Sequence, residues 1–133
     1  MWTYQDKPFT SEMIEDYIGF VYLIKNLDTN KFYIGKKLFT KSKTFQKNNK
    51  KKKTRVESDW INYTGSNKVL MEEVANGANL NKKILHLCTS KGWLTYTETK
   101  EIINREALLS DKFYNNFVGC KIHGRHLTPL LLK

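Results

Sequence analysis

The chain has 133 residues, with 23 lysines and arginines against 13 aspartates and glutamates, and a net charge of +10. That length and a hydrophobic fraction of 40% suit one domain over residues 1–133 with a modest core, and 13% aromatic residues exclude a disordered chain. Two cysteines make no disulfide framework, no apolar run approaches the ~20 residues of a membrane span, and the first residues lack a basic-then-apolar leader. The expectation is a reduced, cytoplasmic protein with no membrane partner, whose clustered positive charge suits a polyanion, nucleic acid first.

Residues 1–18 form an N-terminal arm. Trp2, Tyr4 and Phe9 are apolar anchors that should pack against the rest of the fold. Thr10 or Ser11 is placed to cap a short acidic helix running through Tyr17. Next, Phe20-Val21-Tyr22-Leu23-Ile24 and Lys31-Phe32-Tyr33-Ile34 read as two strands, joined across turn chemistry at residues 26–30 and closed by Gly35. This is a β-hairpin with a five-residue loop. If its strands pair, the hydroxyls of Tyr22 and Tyr33 can reach the same end of one sheet face.

Residues 36–55 hold nine lysines, one arginine and no acid. Without apolar periodicity, residues 36–57 read as a mobile basic surface loop, pinned at its near end by Leu38 and Phe39. Lys36, Lys41, Lys43, Lys50, Lys51, Lys52 and Lys53 are candidates to bind a nucleic-acid backbone rather than read its sequence. Ser58 can cap a helical turn carrying Trp60. Ser66 can cap a helix over residues 67–76 that buries Val69, Leu70 and Val74 and ends at Asn76-Gly77. Trp60 and Tyr63 are either core residues or a platform for a stacked base. Residues 82–88 read as a third strand, with Cys88 a buried thiol, and residues 89–94, around Gly92, as a turn. A helix follows over residues 96–109. Residues 127–133, with Pro129, read as a docked or frayed end. The order gives an α/β (α+β) sandwich: a small, mostly antiparallel three-stranded sheet flanked by helices.

Residues 19–37 resemble the GIY-YIG nuclease superfamily. Tyr33-Ile34-Gly35 matches its second triplet, and Phe20-Val21-Tyr22 stands where the first would be, with the tyrosine kept and Gly19 one position early. The resemblance implies a metal-dependent endonuclease of small phage or mobile-element type, acting in the cytoplasm (the host's, if phage-encoded). It implies hydrolysis of phosphodiester bonds in DNA, most naturally duplex, with Mg2+ or another divalent cation such as Mn2+. No protein partner is inferable.

The resemblance also implies a glutamate ligand on the helix after the third strand. Glu98, four residues before Ile102, fits best, with Glu101 the alternative. A competing use remains for Glu98, because Thr95-Tyr96-Thr97-Glu98 has capping-box spacing. Tyr22 is the candidate general base or water-orienting group, and Tyr33 positions water or phosphate. A free tyrosine has a pKa of about 10, so Tyr22 needs positive charge nearby, from Lys36 or Lys37. For the family's phosphate-gripping arginine, Lys43 holds the expected spacing; Arg55 is preferred if the loop is an insertion, with Lys37 and Lys41 as alternatives. Asn115, after Tyr114, resembles the family's asparagine. The rival reading is a non-catalytic nucleic-acid-binding module on a degenerate scaffold. Convergence of Tyr22, Tyr33, Glu98 and a basic residue on one pocket favours the enzyme, and their dispersal favours the binder.

Overall fold

The computed structural model describes residues 1–127. Its elements in chain order are β1 (Trp2–Tyr4), β2 (Lys7–Pro8), β3 (Gly19–Asn26), β4 (Lys31–Leu38), β5 (Thr40–Lys47), β6 (Lys50–Glu57), α1 (Lys68–Ala75), β7 (Leu80–Cys88) and α2 (Lys91–Asn104). Side chains alternate across a strand, so Phe20, Tyr22 and Ile24 of β3 point to one face and Val21 and Leu23 to the other. Both faces are apolar, and β3 lies inside the sheet. The strand order is β2-β1-β7-β3-β4. β3 pairs antiparallel with β4 and β7, and β1 pairs parallel with β7.

The sheet therefore has five strands, not the three expected. The two extra strands come from the N-terminal arm, which does pack against the fold. Trp2 meets Phe20 and Tyr22 with ring centroids 5.0 and 5.3 Å apart, and its indole N–H donates to the Trp60 carbonyl at 2.7 Å. The expected acidic helix shrinks to one 3-10 turn at Ser11–Met13. Glu15, at φ 46, cannot continue a right-handed helix.

One core lies beneath α1, where Phe20, Tyr22 and Ile24 pack with Trp2, Phe9, Phe39, Trp60 and Leu70. The other lies beneath α2, where Val21 and Ile34 pack with Cys88, Leu94, Ile102 and Ala107. Cys88 is a buried free thiol, and burial pushes its pKa up.

Several boundaries differ from those expected. The β3–β4 loop is four residues, 27–30. The turn at Trp60–Asn62 starts from Asp59, while the Ser58 hydroxyl donates to the Leu38 carbonyl at 2.7 Å. Asn67, not Ser66, caps α1, and its side chain accepts the Leu70 amide. α1 buries Leu70 and half-buries Val74, but Val69 faces solvent. α2 begins five residues earlier than expected, because the Ser90 hydroxyl caps it by accepting the Trp93 amide at 3.1 Å. Gly92 is not a turn residue: it lies in the first helical turn, where a Cβ would come within 2.9 Å of His126 Cβ.

The largest revision concerns the basic stretch. It is not a loop: β5 and β6 pair antiparallel over eight residues each, from Thr40↔Glu57 to Lys47↔Lys50. Asn48 and Asn49, at φ 54 and 60, make the tight turn. Two successive positive φ values are the requirement of a two-residue hairpin turn, and asparagine tolerates them. Residues 41–55 of this ribbon are all exposed. Leu127 is buried, and the rest of the expected docked or frayed end lies outside the described residues. Among the described residues, no helix is long and apolar enough to cross a membrane.

Candidate active site

The site begins where β3 meets β4. Tyr22 and Gly35 are opposite one another in the ladder. The Tyr22 ring lies across Gly35 so closely that a Cβ there would fall 2.2 Å from the Tyr22 hydroxyl. A glycine is required at this point by close approach, not by φ. On the far side of Tyr22, the register of β3 against β7 shifts between Val21 and Tyr22. Such irregularities re-aim a side chain beside a site.

Along β4, Tyr33, Gly35 and Lys37 share the face of Tyr22, whereas Ile34 and Lys36 share the face covered by α2. The outer edge of β4 is sealed by residues 112–115. The Phe32 amide donates to the Lys112 carbonyl and the Tyr114 amide to the Phe32 carbonyl, both at 2.8 Å. Asn115 then uses its side-chain amide as a surrogate peptide. It donates to the Ile34 carbonyl at 2.8 Å and accepts the Ile34 amide at 3.0 Å. Both polar groups of Asn115 are thereby committed to the strand. It walls the site, and one amide hydrogen and one oxygen lone pair remain for its expected contact with nucleic acid.

Beyond Asn115 a cavity of about 550 Å³ opens, lined by Tyr33, Lys36, Ser66, Glu98, Asn115 and Ile102 among others. Glu98 reaches it from the second turn of α2. Because the helix starts at Ser90, Glu98 cannot be its capping-box residue, so that competing use is removed. Among the described residues its carboxylate makes no hydrogen bond and no ion pair. Burial raises its pKa above the ordinary carboxylate value, while Lys36 pulls it down. Lys36 itself donates to the Thr95 hydroxyl at 2.9 Å. Tyr33 shares a hydrogen bond with the Ser66 hydroxyl at 3.1 Å, and burial raises its pKa despite that bond.

A second cavity of about 530 Å³ adjoins the first through Lys36. Its walls include Lys37, Lys41, Arg55, Asp59 and Lys91. Lys37 pairs with Asp59 at 2.7 Å and sits 4.2 Å from the Tyr63 ring centroid. The bond from Lys37 lowers the Asp59 pKa. Arg55 is turned inward on its own ribbon. It donates to the Thr40 carbonyl at 2.8 Å, to the Thr40 hydroxyl at 2.9 and 3.1 Å, and to the Ser42 hydroxyl at 3.2 Å.

The expected constellation is thus partly assembled. Tyr33, Glu98 and Lys36 share one cavity. Arg55, Lys37 and Lys41 line the next. Tyr22 lines neither: it is 1% exposed, with its ring 6.2 Å from that of Tyr33 and 6.0 Å from that of Tyr63. Burial, then Tyr63, Tyr33 and Glu98, push its pKa well above 10. Neither Lys36 nor Lys37 offsets this, so the expectation that one of them would ease its ionisation is corrected. Glu101 is corrected as well. Its carboxylate is taken by Arg105 at 2.7 Å and His86 at 3.1 Å, outside the cavity. Burial pushes the Glu101 pKa up, but those bonds bring it below the ordinary value. Lys43 and Lys50 to Lys53 lie on the exposed ribbon, away from both cavities.

Tyr63, expected as core or stacking platform, and Ser66, expected as a helix cap, both stand at the site. Their place at the site follows from Gly65. It holds φ 94, and a Cβ there would meet the Tyr33 ring at 3.2 Å, so the chain turns tightly against that tyrosine. Thr95 was missed because the helix was started after it. With α2 begun at Ser90, Thr95 and Glu98 are three apart on one helical face.

An α+β sheet whose β3–β4 hairpin carries both tyrosines, with Tyr33 lining one cavity with a helix glutamate, defines a GIY-YIG nuclease-type domain. Residues 2–118 match the family model described as "Putative endonuclease segE, GIY-YIG domain", and the chain belongs to that family. No curated protein and no solved structure matches it. Nuclease chemistry on nucleic acid is therefore the general activity to which the site belongs.

Proposed function

We propose that the protein is a metal-dependent endonuclease that hydrolyses phosphodiester bonds of duplex DNA. The observation that carries this reading is the Glu98 carboxylate. It is half-buried, makes no hydrogen bond or ion pair among the described residues, and lines one cavity with Tyr33 and Lys36. A carboxylate left uncompensated in that setting is costly unless a cation joins it. Among the described residues no three histidine, cysteine or acidic side chains gather into a cage. One carboxylate fits a hard cation that keeps most of its waters, such as Mg2+ or Mn2+. When bound at Glu98, such an ion supplies positive charge for the transition state and the leaving oxygen.

The remaining roles fall to the chain itself. Lys36 places positive charge between the two cavities, where a phosphate entering from the basic cleft would meet it. Tyr33, held by Ser66, orients water or phosphate at the cavity wall. Tyr22 sits behind it as a neutral phenol, and serves as a base only when added positive charge lowers its pKa. Lys37 and Arg55 line the approach.

The non-catalytic reading keeps one specific support: Tyr22 is buried off the cavity and Arg55 is tied to Thr40. Incubation with plasmid, with and without magnesium, separates the two. The parent is expected to cut only with the divalent ion. Glu98→Gln should be inactive and bind DNA as well or more tightly, since a carboxylate facing phosphate is gone. Glu101→Gln should still cut. A Glu98→Gln protein that cuts at the parental rate sinks the assignment, and a parent inert with every divalent ion leaves the binding module.

A further inference from the structure

The β5–β6 ribbon has two unlike faces. Residues opposite one another in an antiparallel ladder point the same way. The pairing puts Thr40, Ser42, Thr44 and Gln46 on one face with Lys51, Lys53, Arg55 and Glu57, and Lys41, Lys43, Phe45 and Lys47 on the other with Lys50, Lys52, Thr54 and Val56. The first face is a row of short hydroxyls and an amide beside three cations, with Glu57 at its base accepting from the Ser11 hydroxyl and the Trp60 indole. Its basal polar groups are used up, because Arg55 holds Thr40 and Ser42. Toward the tip, the side chains of Thr44, Gln46, Lys51 and Lys53 are exposed and make no hydrogen bond or ion pair among the described residues.

This face also looks toward the site. Of the four ribbon residues lining the basic cavity, Thr40, Ser42 and Arg55 belong to it and only Lys41 to the other. A duplex with a phosphate in that cavity would therefore continue along the Thr44 and Gln46 face. A two-stranded ribbon is one of the shapes that the major groove admits, and glutamine, lysine and threonine are groups that bond base edges there.

We propose that the ribbon enters the major groove of duplex DNA and reads base sequence with Thr44, Gln46, Lys51 and Lys53, on one side of the cut. The lysines of the opposite face, on long flexible stems, reach past the ribbon edges to the phosphates of the groove walls. This rests on the proposed reading of duplex DNA as substrate. It departs from the expectation that the basic stretch only grips backbone. Eight residues of strand extend roughly 26 Å, which at 3.4 Å per base pair is about eight base pairs. The preferred bases should fall within about that distance of the scissile bond.

The test selects duplexes from a randomised pool by binding in EDTA, so that no cutting is needed, and sequences them. The parent should enrich a short run of bases. Thr44→Ala/Gln46→Ala should lose the enrichment, and affinity for the selected duplex should fall about ten- to hundredfold. Gln46→Glu should shift the preferred base at its position from A to C, since glutamate accepts from the cytosine amine. Lys43→Ala/Lys50→Ala/Lys52→Ala should keep the enrichment, weaken binding to all duplexes alike, and reduce the log-log salt slope by about 2.7. A parent with no enrichment, a Thr44→Ala/Gln46→Ala protein that keeps it, or selection of single strands over duplex overturns the inference. A parent that selects sequence but never cuts leaves the ribbon reading standing and removes the nuclease. One that cuts without sequence preference does the reverse.

Discussion

The β3–β4 and β5–β6 hairpins each pair eight residues strand to strand. In β3 six of the eight are buried, whereas residues 41–55 of the ribbon are all exposed. The first hairpin is held by apolar area, at about 1.5–3 kcal/mol for each large side chain fully buried. The second has only its ladder and its turn, against the repulsion of clustered lysines, and an isolated two-stranded hairpin is marginal in water. A site needing fixed geometry belongs on the first, where packing locks rotamers. On the proposed function, a surface that adapts to a long polyanion belongs on the second, where that partner would supply the missing stabilisation.

That division can be broken experimentally. The largest effect is expected from Tyr22→Phe, which removes one hydroxyl from the buried hairpin. Single-turnover cleavage in saturating magnesium should slow by about 10²–10⁴-fold, the usual scale of a general base, with the thermal midpoint nearly unchanged. A parental rate would make Tyr22 a core residue only. Next comes the ribbon: Lys50, Lys51, Lys52 and Lys53 all replaced by alanine should weaken duplex binding about a hundredfold and flatten the log-log salt slope by about 3.6. Stability should hold, because none of those side chains is packed. A large loss of stability would mean that the ribbon is part of the core after all.

Gly35→Ala attacks the joint between the two tyrosine strands. The new methyl would overlap the Tyr22 hydroxyl, so the ring must move. Urea unfolding should show a loss of about 1–3 kcal/mol, typical of overpacking. Wild-type stability would mean that Tyr22 is free to swing aside.

The smallest effect concerns Lys82, which is buried on β7 with its pKa lowered by burial from 10.5 to about 8. Its ammonium donates to the Tyr63 and Ile61 carbonyls at 2.8 and 3.1 Å, and lies 4.5 Å from the Trp2 ring centroid. It thereby fixes the segment that carries Tyr63. A lowered lysine pKa means that the unfolded chain binds more protons between pH 8 and 10.5. Stability from this group is therefore full above 10.5 and lost as the pH falls through 8. Between pH 7.5 and 10, the parent should gain ~1–2 kcal/mol over Lys82→Met, allowing for solvent screening. A constant difference would mean that the ammonium is effectively solvated.

What could be read from sequence followed from how each element earns its stability. The β3–β4 hairpin is legible because burial on both faces makes Phe20 to Ile24 a continuous run of apolar β-branched and aromatic residues, and turn residues punctuate it. The opposite ribbon was illegible by the same criterion: strands exposed on both faces carry no apolar alternation. Its available signals were Asn48-Asn49, whose side chains suit positive φ, and the spaced Thr40, Thr44, Thr54 and Val56. β1 was hidden because three residues form a strand only when a partner such as β7 is already in place. The start of α2 was misplaced because Gly92 looked like a turn, when Ser90 already supplied the cap. Glu98 reads as the better ligand candidate from its place four residues before Ile102. That, among the described residues, its carboxylate makes no hydrogen bond or ion pair while that of Glu101 does is not legible in sequence, because His86 arrives from β7.

The seal along β4 sets an order of events. Asn115 grips Ile34 across 81 positions of chain, and residues 115–119 form one wall of the Glu98 cavity. A ribosome delivers a chain from its N-terminal side onward. Tyr22, Tyr33 and the whole lysine ribbon have therefore been made long before the wall exists. From the completion of β6 at Glu57 until residues 115–119 are made, the nascent chain carries its lysine ribbon without that wall. On the proposed function, the surface that would hold nucleic acid is thus older, in the life of each molecule, than the enclosure in which that nucleic acid would be cut.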